Sequence, residues 1–226
     1  MKPIFRIAAI AAAGMLSMAP GKPTSNWLAK VTVTPAGSHV LGNPEAKVKL
    51  TEYVSYTCNH CGAFHRQGDG ALRLVYVQPG KVSLEIRHLI RDPVDLAAAL
   101  LTNCGKPGGF FQRHNDFMAG QDKWLAKLDS INQAQQARWY AGTTAARMQA
   151  AAHDFGFYRI MEKRGYSAAQ VNRCLGDKAM AETITAQTAQ ASEQGINATP
   201  SFALDAVVLA GTHDWNSLES QLAARF

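Results

Sequence analysis

Apolar and polar residues follow the period of a strand near both ends of the chain and the period of a helix between them. Val31–Thr34 reads as a short edge strand, followed by a turn-rich link through Gly42-Asn43-Pro44 and a stronger strand over Val48–Tyr56. In that second strand Val48, Leu50, Glu52, Val54 and Tyr56 share one face, while Lys47, Lys49, Thr51, Tyr53 and Ser55 share the other. A carboxylate, Glu52, therefore falls on the apolar side, against the alternative of an exposed strand residue. Ala63, Phe64, Leu72 and Leu74 to Val77 predict a helix from about Cys58 that ends before Pro79-Gly80, and Val82–Ile90 predicts a strand after it. This is a β-α-β unit.

From Asp92 to about Gln194 the strand signals stop, and Ala, Gln, Met and Leu recur with helical spacing, broken at Gly105 to Gly109, Gly120, Gly156, Gly165 and Gly176. That pattern predicts several short helices. Ala141–Ala152 has a low-complexity look, but Arg147, Met148 and His153 make it an amphipathic helix. Strand signals return after Gly195, at Ser201–Leu204 and Val207–Leu209 across an Asp205-Ala206 turn, and a helix from about Asp214 to Arg225 closes the chain.

With 226 residues, 47% of them hydrophobic, the chain can bury one core carrying a sizeable insertion. Its first residues change the expected location. Lys2 and Arg6 precede an apolar run from Ile7 to Ala19 and a Pro20-Gly21 break, so residues 1–21 read as an export signal. The run is shorter than the roughly 20 residues of a spanning helix. Cleavage after Ala19, cleavage after Gly21 and retention as an anchor are all open. Removal of the segment takes two bases and no acids, leaving +4 of the formal +6. No run of Lys/Arg is interleaved with aromatics, so no nucleic-acid partner is expected.

Export also changes how the four cysteines read, because disulfides persist in an oxidising compartment. Three pairings are possible. Cys58 and Cys61 lie one helical turn apart directly after a strand, whereas Cys104 and Cys174 are distant, so the pairs have different tasks. A sulfur at a helix start faces unpaired N–H groups and the positive end of the macrodipole, which makes Cys58 the nucleophile. Cys61, deeper in the helix, is the resolving thiol. His60 either stabilises the Cys58 thiolate or is an exposed residue with no role. A metal site on Cys58, His60 and Cys61 needs two further ligands, and no second closely spaced pair supplies them. No metal or cofactor is expected.

The segments "EYVSYTCNHC" and "GINATPSFAL" resemble the DsbA family of bacterial thiol–disulfide oxidoreductases, and the resemblance extends from about Gly37 to the C-terminus. It implies an α/β, thioredoxin-like fold with an inserted all-helical domain: a first part over 22–91, a helical insertion over 92–190 and a second part over 191–226. It makes Pro200 a cis-proline whose predecessor Thr199 offers its backbone to an extended substrate, where the ordinary reading is a trans proline entering a strand. It makes Glu52 a buried acid exchanging a proton with Cys61, and it suggests a structural disulfide between Cys104 and Cys174, the alternative being two buried free thiols. The implied partners are unfolded or partly folded exported proteins and a membrane-bound redox partner, in the periplasm. His65 and Asn59 depart from the family, which has an acid and commonly a proline there. The short stretch between the signal and Val31 points to a monomeric oxidase. Thr199, rather than Val, points towards the alternative of a reductase or isomerase kept reduced by a membrane partner. A soft-metal carrier or chaperone is the alternative from another class.

Overall fold

A computed structural model describes residues 25–226, and the export signal expected over residues 1–21 lies outside them. The described residues form one mixed sheet in the order β1-β2-β4-β3-β5-β6. The strands are β1 (Val31–Val33), β2 (His39–Gly42), β3 (Val48–Val54), β4 (Val82–His88), β5 (Ser201–Leu204) and β6 (Val207–Val208). β3 runs parallel to β4 and antiparallel to β5. Helix α1 begins at Asn59–Phe64 and continues through wider, π-type turns at His65–Asp69 and Leu72–Val77, returning the chain to β4. The tight β5–β6 turn holds Asp205 and Ala206 at φ 51° and 68°, the paired left-handed conformation of a two-residue hairpin. Helix α10 (Trp215–Ala223), capped by the Asp214 side chain, follows.

Only the first half of β3 alternates as the sequence pattern suggests. Lys49 is exposed and Thr51 half-buried, but Tyr53 is buried along with Glu52 and Val54. Helices cover both sides of this end of the sheet: Phe64 of α1 and Trp215 of α10 pack on one side, near Phe202, while Ala191 and Ile196 close over Tyr53 on the other. The strand also ends at Val54 rather than Tyr56, because Asp95 accepts the Ser55 hydroxyl at 2.6 Å and the Tyr56 N–H at 2.7 Å. Similarly, β4 ends at His88 rather than Ile90, where the Gln187 and Thr188 side chains accept the N–H groups of His88 and Ile90. The link before β3, read as turn, contains strand β2. Its inward-facing His39 stacks on Phe110 with ring centroids 4.0 Å apart, so a polar residue fills an apolar position.

Between β4 and β5 the described chain is helical: α2 (Pro93–Thr102), α3 (Phe110–Ala119), α4 (Gln121–Leu125), α5 (Gln133–Arg138), α6 (Thr144–Phe155), α7 (Phe157–Glu162), α8 (Ala168–Leu175) and α9 (Lys178–Glu193). Asp92, Asn132, Thr143, Ser167 and Asp177 each accept a backbone N–H at a helix start. Gly120, Gly156 and Gly176 end helices, Gly156 at a left-handed φ of 74° that favours glycine. Phe117, Trp124, Met148, Phe155 and Phe157 fill the centre of this layer, and their core is continuous with that of the sheet. Cys104, just after α2, and Cys174, in α8, are joined by a disulfide.

Candidate active site

The end of β3, the start of α1 and the start of β5 meet at one point. This follows from register: Tyr53 lies opposite Ser201, so the chain leaving β3 passes the residues that enter β5. Cys58 occupies the N-cap position of α1, with extended backbone (φ −91°, ψ 114°), and Cys61 lies inside the first turn. Both are free thiols, only 3% and 0% exposed. The Thr199–Pro200 peptide bond is cis, and the Thr199 carbonyl accepts the Cys58 thiol at 3.1 Å. The register of β3 and β5 and the start of α1 therefore bring together Cys58, Cys61, Thr199 and Pro200.

The two sulfurs are electrostatically unequal. The Cys58 pKa is lowered to about 5, chiefly by a hydrogen bond from the Cys61 thiol; burial opposes the shift, while the Thr199 hydroxyl and the N–H groups of Cys61 and His60 assist it. The bond to the Thr199 carbonyl can be made only by the thiol, so it competes with these donors. Cys61 moves the other way. Burial pushes its thiol well above the ordinary range, and the neighbouring Cys58 and Glu52 push it further. His60 is exposed, and its contribution to Cys58 comes through its backbone N–H.

Glu52 sits beneath this pair on β3, 5% exposed, and its pKa is raised to about 8 by burial first and by Asp69 second, with Arg73 opposing. Asp69 and Arg73 form an ion pair at 2.6 Å, one turn apart on α1. His65 belongs to the same face: its Nε2 lies 3.0 Å from Asn115 Oδ1, its Nδ1 3.9 Å from Asp69, and burial lowers its pKa. The position where the family carries an acid thus holds a neutral-leaning histidine, and Asp69, four residues on, supplies the carboxylate.

Two residues that sequence reading did not single out shape the loop. Asp95, fully buried and with its pKa raised by burial to about 7, accepts hydrogen bonds from Ser55, Tyr56 and the Arg91 N–H. Asp92, the N-cap of α2, accepts the Thr57 hydroxyl at 2.6 Å. The Asp-Pro start of α2 was a readable helix signal, whereas Asp95 carried no local mark. Gln121 of α4 is also buried, and its amide donates to the carbonyls of Tyr56 at 2.7 Å and Cys58 at 2.9 Å. Gly62 leaves the space for it, since a Cβ there would lie 2.0 Å from Gln121 Oε1. Among the described residues, no three His, Cys, Asp or Glu side chains converge as a metal site.

Comparison with known proteins agrees with this geometry. A family profile described as Thioredoxin matches residues 34–224. The protein-disulfide isomerase of Novosphingobium aromaticivorans is 46% identical with a TM-score of 0.81, over 84% of this chain and 97% of that one. The structure of alpha-DsbA1 from Wolbachia pipientis shares the fold at 22% identity, with a TM-score of 0.67 over 85% of this chain and 92% of that one. A Rickettsia typhi protein, provisionally named a protein-disulfide oxidoreductase, is 40% identical over 86 residues, which are 38% of this chain and 32% of that protein. The match to this last relative thus spans about a third of its length. The chain belongs to the thioredoxin family and has the fold of its DsbA-like members.

Proposed function

We propose that the protein is an exported oxidase that passes a Cys58–Cys61 disulfide to unfolded or partly folded exported proteins and is recharged by a membrane-bound redox partner. The observation that carries this reading is the inequality of the two sulfurs: Cys58 is held as a thiolate at a helix start beside Thr199 and Pro200, and Cys61 as a buried thiol. Stabilising the reduced form in this way makes the oxidised form a strong oxidant. The structural disulfide outside the site favours an oxidising compartment.

In the forward reaction a substrate thiolate attacks Cys58 Sγ, the Cys58–Cys61 bond breaks, and Cys61 leaves with the electron pair and takes up a proton. A second substrate thiolate then attacks the substrate sulfur of the mixed disulfide and expels Cys58 as thiolate. The substrate loses two electrons, and the cysteine pair gains them. With its pKa near 8, Glu52 is mostly protonated at neutral pH and serves as proton donor to the departing Cys61 and as acceptor in the reverse direction. Thr199 presents its backbone to the substrate strand.

The second reading, an isomerase or reductase kept reduced by its partner, is favoured by the name of the Novosphingobium relative. The test begins with oxidised wild-type protein and a reduced, unfolded test protein. The substrate should lose thiols; Cys61→Ala, offered the same test protein carrying a disulfide, should accumulate a mixed disulfide as Cys58 attacks that bond and expels one substrate thiolate, and Cys58→Ala should form none. Absence of thiol loss would overturn the proposal. Trapping the pair in living cells separates the readings: oxidised for the oxidase, reduced for the isomerase.

A further inference from the structure

A groove of about 690 Å³ opens beside the first turn of α1, between it and the helical layer. Thr57 and Asn59, the chain neighbours of Cys58, form one edge of it. Trp139, Phe155 and Val94 lie in its floor, and Leu128 and Tyr140, 48% and 61% exposed, stand along its wall. Asp92, Asp122 and Asp129 supply its charged lining, and among the described residues no Lys, Arg or His lines it. Arg66 pairs with Asp122 at 3.2 Å from outside, and Asp92 is engaged with Thr57 and the start of α2; Asp129 makes no ion pair among the described residues. A chain with a net charge of +6 thus presents one negative, partly aromatic hollow, and it does so next to its nucleophilic sulfur.

We propose that this groove binds the part of a substrate polypeptide that flanks its reacting cysteine, and that it selects a Lys or Arg adjacent to an aliphatic or aromatic side chain. The inference rests on the thiol–disulfide exchange reading of Cys58. Its geometry is direct: a substrate joined to Cys58 lies next to Thr199, whose carbonyl is 3.1 Å from Sγ, and next to Thr57 and Asn59 at the groove edge, and an extended chain advances about 3.3–3.6 Å per residue, so a residue or two suffices to reach the hollow. Its size lies within the usual range of small-ligand pockets, about 300–1,000 Å³. The apolar floor takes the aliphatic stem or ring, and the carboxylates at the rim take the cation, as the amphipathic build of Lys and Arg allows. Opposite charge at the rim also raises the rate of encounter more than the final affinity.

Two arms test it on the full chain. In the first, the Cys58→Ser protein is titrated with Lys-Tyr-Ser-Ala and Glu-Tyr-Ser-Ala peptides while amide shifts are followed by NMR; this arm needs no redox chemistry. Shifts at Leu128, Asp129 and Tyr140 should saturate at about fivefold lower concentration of the Lys peptide, the size of one good exposed charge pair. Asp122→Lys with Asp129→Lys should reverse the order, and Glu182→Lys, on α9, should not. In the second, oxidised wild type reacts with Lys-Tyr-Cys-Ala and Glu-Tyr-Cys-Ala and with dithiothreitol; the Lys peptide should react faster at low salt and lose its advantage as salt rises. Equal saturation by the two peptides, or shifts confined to other surfaces, overturns the groove proposal. Failure to react with dithiothreitol instead overturns the exchange reading and leaves the first arm to decide on the groove.

Discussion

Glu52 is a carboxyl group on the inward face of a central strand, where an apolar residue would stabilise the fold more. Its folded pKa of about 8 lies above the ordinary value of about 4.3. For such a group the contribution to stability is full below the unfolded pKa and is lost as pH rises through the folded one. Wild type should therefore weaken from about pH 4 to pH 8 by this residue alone. Glu52→Gln keeps the shape and removes the titration, so its stability should match wild type near pH 4 and exceed it increasingly towards pH 8, by at most about 4 kcal/mol at neutral pH, with a melting temperature that rises accordingly. The same variant should slow the step in which Cys61 departs by about a hundredfold, as expected for loss of a positioned acid. A stability difference independent of pH, or an unchanged exchange rate, would return Glu52 to a purely structural part.

Among the elements, those carrying a local pattern were legible and those held by distant partners were not. The cysteine pair after β3, the proline before β5 and the glycine-bounded helices all announce themselves within a few residues. β2 did not, because His39 occupies a core position and only its stacking on Phe110 accounts for that. The ends of β3 and β4 were read two residues long, since Asp95, Gln187 and Thr188, far away in sequence, take the N–H groups that would have continued the ladders. Gln121 escaped for the same reason: a glutamine in a helical stretch carries no sign that it will cap the carbonyls of Tyr56 and Cys58. The tie between α2 and α8 belongs to this scale as well. The Cys104–Cys174 bond spans 70 positions, and closing a loop of that length contributes about 4 kcal/mol in the chain-entropy model. Replacing both cysteines with Ala should lower the melting temperature by several degrees while oxidation of a reduced test protein by Cys58–Cys61 continues. Unchanged melting with impaired oxidation would show that the bond acts on the active site instead.

For the whole molecule, the fold and the redox chemistry are linked through one thiolate. The hydrogen bond from the Cys61 thiol first, and then Thr199 and the N–H groups at the helix start, hold the Cys58 pKa near 5 against the opposing effect of burial, compared with about 8.5 for a free thiol. A depressed folded pKa adds stability that is full above the unfolded value and is lost as pH falls through the folded one. The window therefore runs from about pH 8.5 down to about pH 5, and at pH 7 the gain is at most about 3 kcal/mol. It belongs to the reduced protein alone. A disulfide with a structural task does the opposite and stabilises the oxidised form. The deciding measurement is thus the thermal stability of reduced and oxidised protein, compared from pH 4 to pH 9, with thiolate absorbance near 240 nm followed in parallel on the reduced form. Reduced protein should melt above oxidised protein at pH 7, the difference should shrink as pH falls towards 5, and the absorbance should titrate over the same range and disappear in Cys58→Ser. If the oxidised protein melts higher at pH 7 and Cys58 titrates near pH 8.5, the oxidase account is contradicted.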